Sequence, residues 1–120
     1  MIGYVDDWGR ALLPVTMSSP RTGRSAEWSV WIDTGFTGDL VVPRPMIDEL
    51  QLEPALTGDA TLADGSSVAI ELFSGILEWF ERRLIVEVVA SDNQIPLLGV
   101  RLLVSRKLSI DYPARTVALD

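Results

Sequence analysis

Apolar residues in this chain come in short runs of about four to eight, many alternating with polar ones, and turn residues interrupt them roughly every 8 to 15 positions. That rhythm leaves little room for helices, which need an apolar stripe of period 3.6 sustained over about ten positions or more. Only Pro45–Leu50, opened by a proline suited to a first helical turn, and Val100–Arg106, following Gly99, offer a short one. The Val-, Ile-, Leu- and Trp-rich runs predict strands over Met1–Val5, Arg10–Ser18, Ala26–Asp33, Asp39–Val42, Ala60–Ala63, Ser66–Phe73, Ile76–Phe80, Leu84–Ala90, Lys107–Asp111 and Thr116–Leu119. Ser19-Pro20-Arg21-Thr22-Gly23 joins the second and third of these, and Asp64-Gly65 reads as a two-residue hairpin turn. Glu81-Arg82-Arg83, Ser91-Asp92-Asn93 and Pro113-Ala114-Arg115 supply further turns. The expected architecture is an all-β barrel or sandwich with one or two short helices.

At 120 residues, without repeats or a linker, the chain reads as a single domain spanning 1–120. It contains neither Cys nor His, which excludes a cysteine nucleophile, a Ser-His-Asp triad, a His-ligated metal and a disulfide framework together. Proton transfer near neutral pH is left to carboxylates, present as 17 Asp and Glu against 10 Lys and Arg, for a net charge of -7. A single Lys among those basic residues gives no stripe for phosphates, so no nucleic-acid partner is expected. No apolar run approaches the roughly 18 residues needed to cross a bilayer, and Met1–Asp7 has no basic leader, so no membrane and a cytoplasmic location are expected. No acidic cluster has calcium-loop spacing, and no metal or cofactor is expected.

The informative segment is Ser29-Val30-Trp31-Ile32-Asp33-Thr34-Gly35-Phe36-Thr37-Gly38-Asp39-Leu40-Val41-Val42, an apolar strand running into an acid. A carboxylate at the end of a buried strand is costly to ionise unless it accepts hydrogen bonds, and Thr34-Gly35 offers a hydroxyl and a flexible backbone to supply them. Alone, Asp-Thr-Gly also suits an ordinary turn in which Asp caps its own loop. A second element, Ile95-Pro96-Leu97-Leu98-Gly99-Val100-Arg101-Leu102-Leu103, places two large apolar residues before a glycine that opens a short helix.

Hydrophobic-Asp-Thr-Gly and an apolar strand, then a hairpin, then two apolar residues and Gly before a short helix: in this order the chain resembles the retroviral-type, or retropepsin-like, aspartic proteases. It looks like one of their single-domain bacterial relatives with an Asp-Thr-Gly-Phe motif, over roughly Arg10–Asp120. The resemblance implies a closed acid-protease barrel that forms half of a two-fold dimer, and an aspartic endopeptidase in which two carboxylates activate water against a peptide bond. One Asp-Thr-Gly per chain implies a homodimer with Asp33 contributed by each copy. Thr34 and Gly35 are expected to support the active-site loop, with Leu97, Leu98 and Gly99 packed beneath it. The hairpin Leu62–Val68, with Ala63, Asp64, Gly65 and Ser66 at its tip, is the expected flap over an extended peptide or protein substrate.

Two positions depart from the retroviral pattern. The acid usual four residues after the catalytic Asp is Thr37, and the Arg usual after the late Gly is Val100, leaving Arg101 and Asp39 as a candidate replacement ion pair. In such relatives the chain ends interleave between subunits; Met1–Val5 and Thr116–Leu119 suit that role and intramolecular pairing equally. The alternative function is a catalytically silent module of the same fold that binds peptides or dimerises. The four Trp, Trp8, Trp28, Trp31 and Trp79, read first as core or interface residues, and Trp79 is placed to line a pocket after the flap strands.

Overall fold

A computed structural model describes residues 1–55 and 57–120. The chain runs β1 (Ile2–Val5), β2 (Ala11–Ser18), β3 (Ser25–Ile32), β4 (Leu40–Pro43), α1 (Arg44–Leu50), β5 (Glu53–Pro54), β6 (Gly58–Thr61), β7 (Ser67–Ile70), β8 (Leu72–Trp79), β9 (Arg82–Ser91), β10 (Leu97–Leu98), a 3₁₀ turn (Val100–Leu102), β11 (Leu108–Asp111) and β12 (Thr116–Leu119). Ten strands form one sheet in the order β11-β12-β1-β2-β3-β10-β4-β9-β8-β5, and a further pairing of Met17 with Leu77 and Ser18 with Ile76 joins β2 to β8. That pairing closes the ring β2-β3-β10-β4-β9-β8 into a barrel and leaves β11 and β5 as the outermost strands of the sheet.

Alternation fills the barrel. On β2, Leu13, Val15 and Met17 point inward, and on β3, Trp28, Val30 and Ile32 do so; they meet Leu40, Val42, Leu77, Val86, Val88 and Leu98 in one core cluster. Each fully buried side chain of this kind contributes about 1.5–3 kcal/mol relative to exposure. The helix α1 packs Ile47 and Leu50 against the barrel and ends at Gln51 in the left-handed region, whose N–H closes onto Asp48 O and Ile47 O.

Several local expectations need correction. The break expected between Phe73 and Ile76 falls instead at Glu71, because β8 pairs without interruption with β9 from Leu72 to Trp79. Leu97–Leu98, expected only as an apolar pair, forms the strand β10, and Glu53–Pro54 forms the short edge strand β5. The helix expected over Val100–Arg106 is a single 3₁₀ turn followed by a turn over residues 103–105 and a bend at Arg106. The turn expected at Glu81-Arg82-Arg83 is one residue earlier: Phe80 and Glu81 both take positive φ, 48° and 65°, in a two-residue hairpin loop. Asp64-Gly65 does not form such a loop. Gly65 N bonds Leu62 O, Leu62 N bonds Ser66 O and Gly65 has φ 87°, the signature of a turn closed by a glycine bulge. Trp79, buried at the end of β8 and edge-on to Phe80, does line a pocket, with Met1, Phe80 and Arg82, but this pocket is separate from the Asp33 cleft.

Candidate active site

Asp33 lies one residue beyond β3, where the strand leaves the barrel, and the short strand β10 fixes that exit. Leu97 and Leu98 pair in parallel with Trp31 and Ile32 and in antiparallel with Val41 and Leu40, so β10 is wedged between the strand entering the acidic loop and the strand leaving it. Asp33 N donates to Leu98 O at 2.9 Å, and Trp31 N to Pro96 O at 2.8 Å. Leu98 is fully buried beneath the loop and Leu97 half-buried.

Gly99 continues the brace. Its N–H donates to Asp39 O at 2.8 Å, and the next two N–H groups, of Val100 and Arg101, donate to Phe36 O at 2.7 Å and Gly38 O at 3.2 Å. A Cβ on Gly99 would overlap the Gly38 carbonyl oxygen and lie 2.9 Å from Phe36 O. The 3₁₀ turn is therefore stitched by backbone to the far side of the Asp33 loop, and the stitching requires glycine at its start.

Within the loop, Asp33 Oδ1 accepts from Gly35 N at 2.9 Å and Asp33 O accepts from Phe36 N at 3.2 Å. This is the self-capping turn that the motif alone allowed. Among the described residues no protein donor reaches Asp33 Oδ2. Asp33 is half-buried, and Thr34 and Gly35 are exposed. The loop presents one carboxylate and one hydroxyl toward solvent from a rigid base.

A cleft of about 510 Å³ opens there, lined by Trp31, Ile32, Asp33, Thr34, Asn93, Gln94, Ile95 and Leu97. Sequence reading missed Asn93, Gln94 and Ile95 as wall residues, taking the first for a turn. Trp31 reads as core or interface, since Val30-Trp31-Ile32 is a continuous apolar run. In the fold, alternation along β3 turns Val30 and Ile32 inward and Trp31, 38% exposed, toward the same side as Asp33. Arg10 lies over the Trp31 ring, 5.8 Å from its centroid.

Beneath the loop, Asp39 is buried; its Oδ2 accepts from Glu87 N at 2.9 Å and sits 3.8 Å from Arg101 Nη1. The pair that the sequence offered in place of the retroviral one does meet. The Glu87 N–H bond is the closer contact, and the ion pair is long, with its Arg largely exposed.

The structure brings Asp33, Thr34, Gly35, Leu97, Leu98 and Gly99 together. It does not bring Ala63, Asp64, Gly65 and Ser66 into the walls of this cleft. Those residues cap the hairpin β6–β7, which forms a two-stranded sheet of its own. At its tip Asp64 Oδ1 accepts from Ser66 Oγ at 2.6 Å and Ser66 N at 2.9 Å, and these bonds hold the Asp64 carboxyl below the usual carboxylate range. Leu62 and Val68 expose apolar surface on the same hairpin. Among the described residues no cluster of three or more His, Cys, Asp or Glu is placed to hold a metal ion, and no helix is long and apolar enough to cross a membrane.

No protein-family model matches the sequence, and a search of curated proteins finds no match either. Solved structures do match. A retropepsin-like aspartic protease from Rickettsia conorii superposes with a TM-score of 0.65 at 16% identity, covering 99% of this chain and 88% of that one. The EIAV protease in complex with the inhibitor HBY-793 gives 0.54 at 17% identity, over 80% and 86% of the two chains. The simian foamy virus (mac) protease gives 0.50 at 19% identity, over 76% and 91%. At these identities the likeness is one of fold.

Proposed function

Since the chain has the retropepsin-like fold and offers one carboxylate to an open cleft, we propose that it is an aspartic endopeptidase whose dyad is Asp33 from each of two copies. The observation that carries this reading is the double brace on the Asp33 loop: β10 between β3 and β4, and the Gly99 turn bonded to Phe36 and Gly38. An ordinary self-capping turn needs neither.

In this reading the two carboxylates share one proton. One accepts a proton from water as the water attacks the peptide carbonyl, and the other, protonated, donates to the carbonyl oxygen. A chain holding one such acid is inert until a second arrives, and Thr34 and Gly35 lie at the surface where the second loop would meet them. The substrate is an extended segment with an apolar side chain for the wall formed by Trp31, Ile95 and Leu97, and the β6–β7 hairpin is the arm that closes over it. Proteases among the structural neighbours support the same class, and one of them was solved with an inhibitor bound.

The test is hydrolysis of unfolded protein between about pH 4 and 7 by the wild type and by Asp33→Asn, with a statine-type transition-state analogue as inhibitor. The expected result is cleavage that the analogue blocks and that falls by at least about a thousandfold in the variant. Full activity in Asp33→Asn would refute the dyad. A dimer that binds the analogue without cleaving any substrate would favour the silent module.

A further inference from the structure

The strand that leads into the Asp33 loop, β3, is unpaired along most of one edge among the described residues. β2 covers its other edge from Ser25 to Trp31, whereas β10 reaches only Trp31 and Ile32. Pro96 ends that short ladder. In this parallel register the next bond would run from the N–H of residue 96 to Ser29 O, and proline has no N–H to give. Which peptide groups stand free follows from the pairing with β2. Ser19 N donates to Arg24 O, Ser29 faces Pro14, and Trp31 N turns away to Pro96 O. By the two-residue period of a strand, residues 26, 28 and 30 therefore turn their peptide groups to β2, and Ser25, Glu27 and Ser29 aim theirs at the open side. Among the described residues no backbone group bonds those three from that side.

The open edge forms one wall of a groove of about 520 Å³, and α1 forms the other. Its lining is apolar below, with Trp28 and Leu50 buried and Ala26 and Met46 half-buried. Its rims carry exposed carboxylates, Glu27 on β3 and Glu49 on α1, and Arg24 closes one end with its Nη1 donating to Glu49 O at 3.2 Å. We propose that this groove takes an extended segment of a partner protein as an added antiparallel strand, apolar-basic-apolar in sequence, with the basic residue opposite Glu27. The free peptide groups of Ser25, Glu27 and Ser29 supply the ladder. The pleat then sets the pattern: a residue paired with Glu27 projects to the same outer face, beside the two carboxylates, and its neighbours on either side point in over Ala26 and Trp28. Charge selects the occupant. A second copy of β3 laid antiparallel about Glu27 would set that carboxylate against itself, and the net charge of -7 on each chain opposes such pairing further, whereas both draw a basic segment. The site stands apart from the proposed dyad, since it shares no lining residue with the Asp33 cleft and Glu27 lies about 20 Å back along the strand from Asp33.

The probe is a capped, fluorophore-tagged peptide of sequence Thr-Val-Lys-Val-Thr, titrated by anisotropy against the full chain with the statine-type analogue present to occupy the Asp33 cleft. Saturable binding is expected with a dissociation constant below about 1 mM. Glu27→Lys, an exposed change on the rim, should weaken it by about fivefold or more, and a peptide carrying Glu in place of its Lys should bind that variant better than it binds the wild type. Amide exchange at Ser25, Glu27 and Ser29 should slow at least about tenfold when the peptide binds, while Ala26, Trp28 and Val30, already bonded to β2, keep their rates. No binding at about 1 mM, binding indifferent to Glu27→Lys, or protection confined to the Asp33 loop overturns the site. Slowing at the same three amides that grows with protein concentration in the absence of peptide also overturns it, because the edge then belongs to a second copy. None of these outcomes bears on the dyad, which the activity of Asp33→Asn tests separately.

Discussion

Gly99 shows how narrow the tolerance around Asp33 is. Its missing Cβ is space already taken by the Gly38 and Phe36 carbonyl oxygens, which belong to the backbone and have little room to move. Gly99→Ala is expected to cost about 3 kcal/mol in denaturant unfolding and to lower activity further by shifting the loop. Asp39→Ala leaves the Glu87 N–H without its carboxylate and should cost about 1–3 kcal/mol, whereas Arg101→Ala, which breaks only the 3.8 Å pair, should change stability by less than about 1 kcal/mol. Asp6 reports on acid. Desolvation pushes its pKa up, but bonds from the Arg10 N–H, the Arg10 guanidinium and the Trp8 N–H outweigh that and hold it below the ordinary value. A carboxyl lowered in the folded state contributes stability above its unfolded pKa of about 3.9 and loses it as the pH falls through the folded one. Thermal melts should therefore show an acid limb below about pH 4 that is shallower in Asp6→Asn. The acid, the Thr-Gly and the late glycine are all legible in the sequence, because each is a polar or turn-forming residue set against an apolar run. Trp31 is not, because a tryptophan between valine and isoleucine looks buried until the strand's alternation is seen in place.

At the scale of elements, the sequence marks where turns fall more sharply than it marks their type. The tip of the β6–β7 hairpin reads from Asp64-Gly65 as a two-residue turn but is a longer loop whose bulge rests on Gly65 at φ 87°. Gly65→Ala should cost about 1–2 kcal/mol of local hairpin stability, read as faster amide exchange in β6 and β7, with a smaller effect on global unfolding. At the β8–β9 corner a phenylalanine and a glutamate hold the positive φ values that Asn-Gly would adopt with less strain. The Arg106 guanidinium 3.6 Å above the Phe80 ring offsets part of that strain. Sequence rules assign such a corner to its charged residues, Arg82 and Arg83, and tertiary contact places it one step earlier. The strand β10 was missed for a different reason. Two residues are too few to show a period, and their strand character comes wholly from β3 and β4 on either side.

The all-β architecture is legible in the many short alternating strands, which leave barrel and sandwich both open; the pair that decides for the barrel, β2 with β8, joins segments that nothing local connects. The proposed pairing of two copies would be subject to their charge. Two copies each carrying -7 repel at long range, and the Debye length shrinks from about 30 Å at 0.01 M salt to about 8 Å at 0.15 M. Sedimentation should therefore show tighter dimers as ionic strength rises, opposite to the trend for an interface dominated by salt bridges. The wedge formed by β10 has a last implication, for birth rather than for function. Residues 97–98 are made long after the acid at position 33, so a polypeptide still emerging from the ribosome holds that acid without its footing until β10 has followed it.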